Sequence, residues 1–146
     1  MSEGAKRRVL LPVTCGFSPD LLKALVVGRL GLLDVEVTLL KVLRIPLTSP
    51  LEENEFFEEI VEAEKELKHK ADELRKAGMK VEVRVVLARN LVTGIEECLP
   101  GHDILILPSG SFGGTLRKVL ARISIEGLAA KFRTPVVVVS KELLGC

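Results

Sequence analysis

The sequence predicts an α/β domain, a doubly wound five-stranded parallel sheet with helices on both faces, and three observations carry that expectation. Five short segments rich in β-branched and aliphatic residues recur along the chain: Arg8 to Val13, Val35 to Leu43, Val81 to Leu87, Ile104 to Leu107 and Pro135 to Ser140. Two of them, Ile104-Leu105-Ile106-Leu107 and Val136-Val137-Val138-Val139, are apolar at every position rather than at alternate ones, which is the mark of strands covered on both faces. Helical patterns separate the segments, so the order reads β-α-β-α-β-α-β-α-β, and right-handed crossovers then favour the strand order 3-2-1-4-5. The 146 residues fit a single domain spanning 1–146, without an internal repeat or a separating linker.

Each helix has local signals. Ser18 is placed to cap a first helix, with Pro19 at its first position, Asp20 in its first turn and Gly31 near its end, so that it runs to about Leu30. The clearest pattern covers Leu51 to Ala77: Phe56, Ile60, Ala63, Leu67, Ala71 and Leu74 recur at three- and four-residue steps, and Gly78 is the stop. A short helix over Leu91 to Leu99 ends before Pro100-Gly101, and a last one, from about Gly114 to Lys131, ends before Thr134-Pro135.

Composition excludes several functions. With 21 Lys and Arg against 20 Asp and Glu, the basic surplus that nucleic-acid binding requires is missing. No apolar run approaches the length of a membrane span, and the stretch after Lys6-Arg7-Arg8 is too short and interrupted by Pro12 to act as a secretory signal. Cys15, Cys98 and Cys146 have no C-x-x-C spacing, so neither a disulfide framework nor a zinc site is expected, and a reducing, cytoplasmic setting fits. The absence of Gln, with only Asn54 and Asn90 as amides, is a thermophile tendency.

In a sheet of order 3-2-1-4-5, ligands bind beyond the carboxyl ends of the strands where the order reverses, between strands one and four. Two loops meet there, Thr14 to Ser18 and Ser109-Gly110-Ser111-Phe112-Gly113-Gly114. The second joins glycines and serines to a helix start, so its N–H groups and hydroxyls suit an anion. A flexible turn that needs glycine for its geometry is the competing reading.

These loops lie in a chain that resembles the universal stress protein family over nearly its whole length. The matching stretches are Arg8-Val9-Leu10-Leu11-Pro12-Val13, Leu39-Leu40-Lys41-Val42, Asp103-Ile104-Leu105-Ile106-Leu107 and Thr134-Pro135-Val136-Val137-Val138-Val139. The resemblance implies an adenine-nucleotide alpha-hydrolase-like fold. It also implies a nucleotide site, for ATP or another adenine nucleotide such as AMP, around Pro12, Val13, Thr14, Val42, Leu107, Ser109, Gly110, Ser111, Gly113, Gly114, Arg122 and Ser124. In the family's nucleotide-binding branch an Asp stands where this chain has Thr14, and the fourth strand leads into G-x-x-G, nine residues, then G-[S/T]. Anchoring that motif on Gly113-Gly114 ends it at Ala121-Arg122, counting back from Pro135 ends it at Arg122-Ile123, and starting it at Gly110 and Gly113 ends it at Ile123-Ser124. No frame preserves the final pair.

Replacing Asp by Thr14 exchanges a carboxylate acceptor for a weaker hydroxyl. Arg122 either fills the phosphate space or contacts an anion itself, with Arg117 and Lys118 nearby in sequence. The implied function is a non-catalytic stress-response module with weakened or absent ATP binding. The alternative is a nucleotide-binding or slowly hydrolysing protein that uses the altered loop. The family also implies a homodimer through the edge strand Pro135 to Ser140, a β-prone segment otherwise at risk of aggregation. Other candidates read as structural: His102 as a surface turn residue at the opposite end of the sheet, and His69 with Glu62, Glu64, Glu66, Lys65, Lys68 and Lys70 as a solvated helix face. Cys15 reads first as a small residue in a tight turn, and more remotely as a reactive thiol near Arg122.

Overall fold

A computed structural model describes residues 7–45, 56–109 and 125–146. Its sheet joins β1 (Arg7–Pro12), β2 (Val35–Arg44), β3 (Lys80–Ala88), β4 (Ile104–Pro108) and β5 (Val136–Val139), all parallel, in the order β3-β2-β1-β4-β5. Val9 lies between Val37 and Ile104, and Leu10 between Thr38 and Leu105. β1 is thus covered on both edges and both faces, which is why Val9, Leu10 and Leu11 are almost wholly buried.

The faces have separate cores. On one, Val9, Leu11, Val37 and Leu39 meet Leu22, Leu25 and Val26 of the first helical segment and Leu67, Ala71 and Leu74 of α2 (Phe57–Lys76). On the other, Leu10, Leu40, Leu105 and Leu107 meet Leu91, Ile95 and Cys98 of α3 (Leu91–Cys98), together with Ile125 and Leu128 of α4 (125–132). The expected start of the second helix at Leu51 and of the last at Gly114 lie outside the described residues. Gly78 and Gly101 take the left-handed conformation after α2 and α3, as the stop signals require.

α1 (Pro19–Lys23) starts as expected, the Ser18 side chain accepting the Leu21 N–H. It then continues as a π-helical turn over Ala24–Arg29. The Leu30 N–H donates to Leu25 O at 2.9 Å, and this wider ring puts Leu25 and Leu30 over the same core.

The amino end of the sheet is stitched by Arg8. Its guanidinium reaches Glu36 on β2 at 3.1 Å, Glu82 on β3 at 3.3 Å and the Gly101 carbonyl at 3.3 Å. Its backbone exchanges hydrogen bonds with Asp103, donating to Oδ2 at 2.8 Å and accepting the Asp103 N–H at 2.7 Å. Beside it, His102 corrects the sequence reading: it lies at the expected end of the sheet but is 7% exposed, not a surface turn residue. Its Nε2 is 2.8 Å from Oγ1 of the fully buried Thr38. The alternation of β2 puts Thr38 on the α3 face, where it is wholly buried, and the turn after α3 brings a polar side chain, His102, to its hydroxyl.

Cysteine pairing corrects a second expectation. Cys15 and Cys146, 131 positions apart, form a disulfide with Cα atoms 5.7 Å apart, within the usual span. Local spacing carried no sign of it, because the pairing is made by topology. A parallel sheet brings the ends of β1 and β5 to one edge, and a 3₁₀ turn (Lys141–Leu144) then carries the chain past β4 to β1.

Two outcomes follow for measurement. Burial first, and the Arg8 guanidinium second, hold the His102 pKa below its ordinary 6.5. The unfolded chain therefore takes up this proton at higher pH than the folded one. Stability from this group is complete above about pH 6.5 and is lost as pH falls from there through the lowered folded-state value. Urea denaturation across pH 5 to 8 will show that slope in the wild type, and His102→Gln will lack this group's share of it. A Cβ at Gly94 would lie 2.5 Å from Val42 Cγ2. Gly94→Ala is expected to cost about 1–3 kcal/mol by overpacking, a loss that Val42→Ala in the same chain partly reverses in urea denaturation.

Candidate functional site

The reversal of strand order lies between β1 and β4, as the winding requires. Beyond β1, the Val13 N–H continues the ladder to Leu40 O at 2.7 Å, and the chain then turns through Thr14, Cys15 and Gly16 to the buried Phe17. The loop, β2 and α2 enclose a cleft of about 180 Å³ lined by Val13, Thr14, Cys15, Gly16, Phe17, Lys41, Ala63, Glu66, Leu67 and Lys70. Two ammonium groups and one carboxylate give this wall a net positive charge, suited to an anionic or polar ligand.

The sequence-derived site residues divide between the two faces. Val13 and Thr14 line the cleft just beyond β1, whereas Pro12, the last residue of that strand, is buried and is not part of its wall. Val42 lies on the α3 face, where its methyl groups fill the space beside Gly94, and Leu107 belongs to the same core. Ser109 follows β4: its N–H donates to Val139 O at 2.8 Å and its hydroxyl accepts the Lys141 N–H at 3.2 Å. That hydroxyl holds the turn after β5. Gly110, Ser111, Gly113, Gly114, Arg122 and Ser124 lie outside the described residues.

Lys41, Glu66 and Lys70 were missed as cleft residues. Lys41 had a signal: residues 35, 37 and 39 of β2 point apolar side chains at the α2 face, and the same alternation turns Lys41 to that face at the carboxyl end. Lys70 is three positions beyond Leu67, on the flank of the buried stripe. It is more than part of a solvated face, since its Nζ donates to Phe17 O at 2.7 Å and lies 5.5 Å from the Phe17 ring centroid. α2 thereby fixes the loop that carries Thr14. His69 does behave as the sequence suggests, exposed and 3.5 Å from Glu73 one turn along.

The turn after β5 closes the other flank. Leu144 is wholly buried in the α1–α2 core, its carbonyl accepts the Ser18 N–H at 2.6 Å, and Cys146 is bonded to Cys15. Residues 140–146 therefore touch the ends of both strands that bound the reversal point. Among the described residues, no group of three His, Cys, Asp or Glu is placed to hold a metal ion, and no helix is long and apolar enough to cross a membrane. The free cysteine, Cys98, is in the opposite core, where burial pushes its thiol pKa up.

No protein-family model matches the sequence and no curated protein matches it significantly, whereas solved structures do match the fold. A universal stress protein family structure from Burkholderia pseudomallei superposes with a TM-score of 0.56 at 14% identity, covering 92% of this chain and 96% of its own. A universal stress protein in complex with cAMP superposes with a TM-score of 0.53 at 14% identity, covering 91% and 96%. One from Arabidopsis thaliana with AMP bound gives 0.53 at 14% identity, covering 92% and 91%. Five parallel strands in the order 3-2-1-4-5, wound on both faces by helices, give this chain the fold of the universal stress protein structures.

Proposed function

We propose that this chain is a stress-response module of the universal stress protein type, non-catalytic and dimeric, whose cleft beside Thr14 takes an adenine nucleotide weakly. The observation that carries the reading is the cleft itself. It stands at the carboxyl end of β1, with Thr14 at its rim and Lys41 and Lys70 in its wall. The AMP and cAMP bound to two of the similar structures support adenine nucleotides as the ligand class. Weak binding follows from residue 14. A hydroxyl there accepts fewer and weaker hydrogen bonds from a ribose or base than a carboxylate would. Neither histidine supports acid-base chemistry at the cleft, since His102 is at the far end of the sheet and His69 is paired with Glu73 on the outside of α2. The dimer reading rests on β5, which ends the sheet and exposes Val138 by 59%, an apolar edge of the kind proteins cover.

Calorimetric titration with AMP, cAMP and ATP is expected to give dissociation constants of roughly 0.1–1 mM. Thr14→Asp is expected to tighten AMP by about tenfold, or about 1.4 kcal/mol. If neither protein binds a nucleotide, the ligand reading fails; stoichiometric nucleotide released from denatured, freshly purified protein would replace it with ordinary tight binding. For the dimer, sedimentation at micromolar concentration should show a two-chain species that Val138→Lys converts to monomer, and wild type sedimenting only as monomer overturns this part.

A further inference from the structure

The Cys15–Cys146 bond joins the loop that carries Thr14 to the segment that spans both strand ends at the reversal point. Its two sulfurs differ in setting. Cys15 is half-buried in the cleft wall, while Cys146 is exposed beside the exposed Gly145. An attacking thiolate can therefore reach Cys146 Sγ without unfolding the domain. On the loop side Phe17 is anchored by burial and by Lys70, while the residues between Thr14 and Phe17 are more open. Gly16 is exposed, and a Cβ there would meet nothing within 4 Å. The turn after β5 has independent anchors in buried Leu144 and in the Lys141 N–H bond to Ser109.

We propose that Cys15–Cys146 is a reversible thiol–disulfide site whose redox state sets the order of the Thr14–Phe17 loop and, resting on the nucleotide reading above, the affinity of the cleft. The co-reactant is a dithiol. Its first thiolate attacks Cys146 Sγ, forming a mixed disulfide and expelling Cys15 as a thiolate, which takes a proton. Its second thiolate then attacks the dithiol sulfur of the mixed disulfide, releasing Cys146 as the second thiol. The net exchange is two electrons and two protons, with the dithiol oxidised to a disulfide and the protein disulfide reduced to two thiols. The oxidised chain keeps the loop against Leu144 and Cys146, with the cleft wall formed. In the reduced chain the loop keeps the Lys70 bond to Phe17 O, the Ser18 bond to Leu144 O and the packing of Phe17, and loses its covalent tie to the turn after β5.

The test uses the full chain equilibrated with reduced and oxidised dithiothreitol, followed by alkylation and peptide mass spectrometry. Cys15 and Cys146 should become modifiable together and reversibly, while buried Cys98 stays protected, marking the change as local. Hydrogen exchange at the Phe17 and Ser18 amides should rise by roughly tenfold on reduction with the Leu10, Leu39 and Lys141 amides unchanged. Cys15→Ser and Cys146→Ser should each exchange like the reduced chain in both conditions. Independent alkylation of Cys15 and Cys146 in the oxidised preparation, or loop exchange that ignores redox state, overturns the proposal. AMP titration separates the two readings. Several-fold weaker binding on reduction supports control of the cleft, and equal binding in both states overturns that control while leaving the nucleotide reading intact. Absence of binding in either state overturns the nucleotide reading, and the exchange data then decide the redox site alone.

Discussion

Everything in this molecule depends on the burial of β1. The strand is paired in parallel register on both sides, so its backbone groups are satisfied within the sheet and its side chains can be wholly apolar on both faces. Winding proceeds from it in two directions: α1 and α2 cover one face on the way to β3, and α3 and α4 cover the other on the way to β5. Because the direction changes at β1, the connections leave in opposite senses from the ends of β1 and β4, and the space between them is left for loops. The cleft opens on one flank of that space, where the loop after β1 meets β2 and α2.

The two ends of the sheet have different chemistry. The amino end is a polar assembly in which Arg8 ties two strands and the α3–β4 turn, and His102 Nε2 pairs with Thr38 Oγ1 out of water. The carboxyl end is assembled from loops, two lysines and a disulfide. Substitutions at the first end act on stability through charge and burial. At the second they act on the shape and charge of the cleft wall, so the two ends can vary separately.

The elements and their order were legible in the sequence because a doubly covered strand leaves a continuous apolar run and a surface helix leaves a stripe. β4 is the first kind, and Ala63, Leu67, Ala71 and Leu74 of α2 the second; β5 carries the same apolar run but ends the sheet with Val138 exposed, so its run did not mark cover on both faces. The reversal point, and with it Thr14, followed from order alone. What was not legible depends on three-dimensional neighbours. The Cys15–Cys146 pair spans nearly the whole chain, His102 is buried because Thr38 lies two strands away, and Lys70 owes its role to a carbonyl 53 positions earlier. In each case the partner is distant in sequence and no local period marks it. Lys41 is intermediate, since strand alternation turns it to the α2 face, but only the loop above it makes that face a cleft.

The π-helical turn over Ala24–Arg29 has a consequence for how this chain tolerates change in length. Each ring there encloses one residue more than an α-helical ring, while the Ser18 cap before it and the Val35 register after it are set by other contacts. A chain one residue shorter in this stretch can wind as an ordinary α-helix between the same two fixed points. The turn is therefore a place where an inserted or deleted residue is absorbed by a change of helical pitch, without passing the displacement on to β2 or to the loop that carries Thr14.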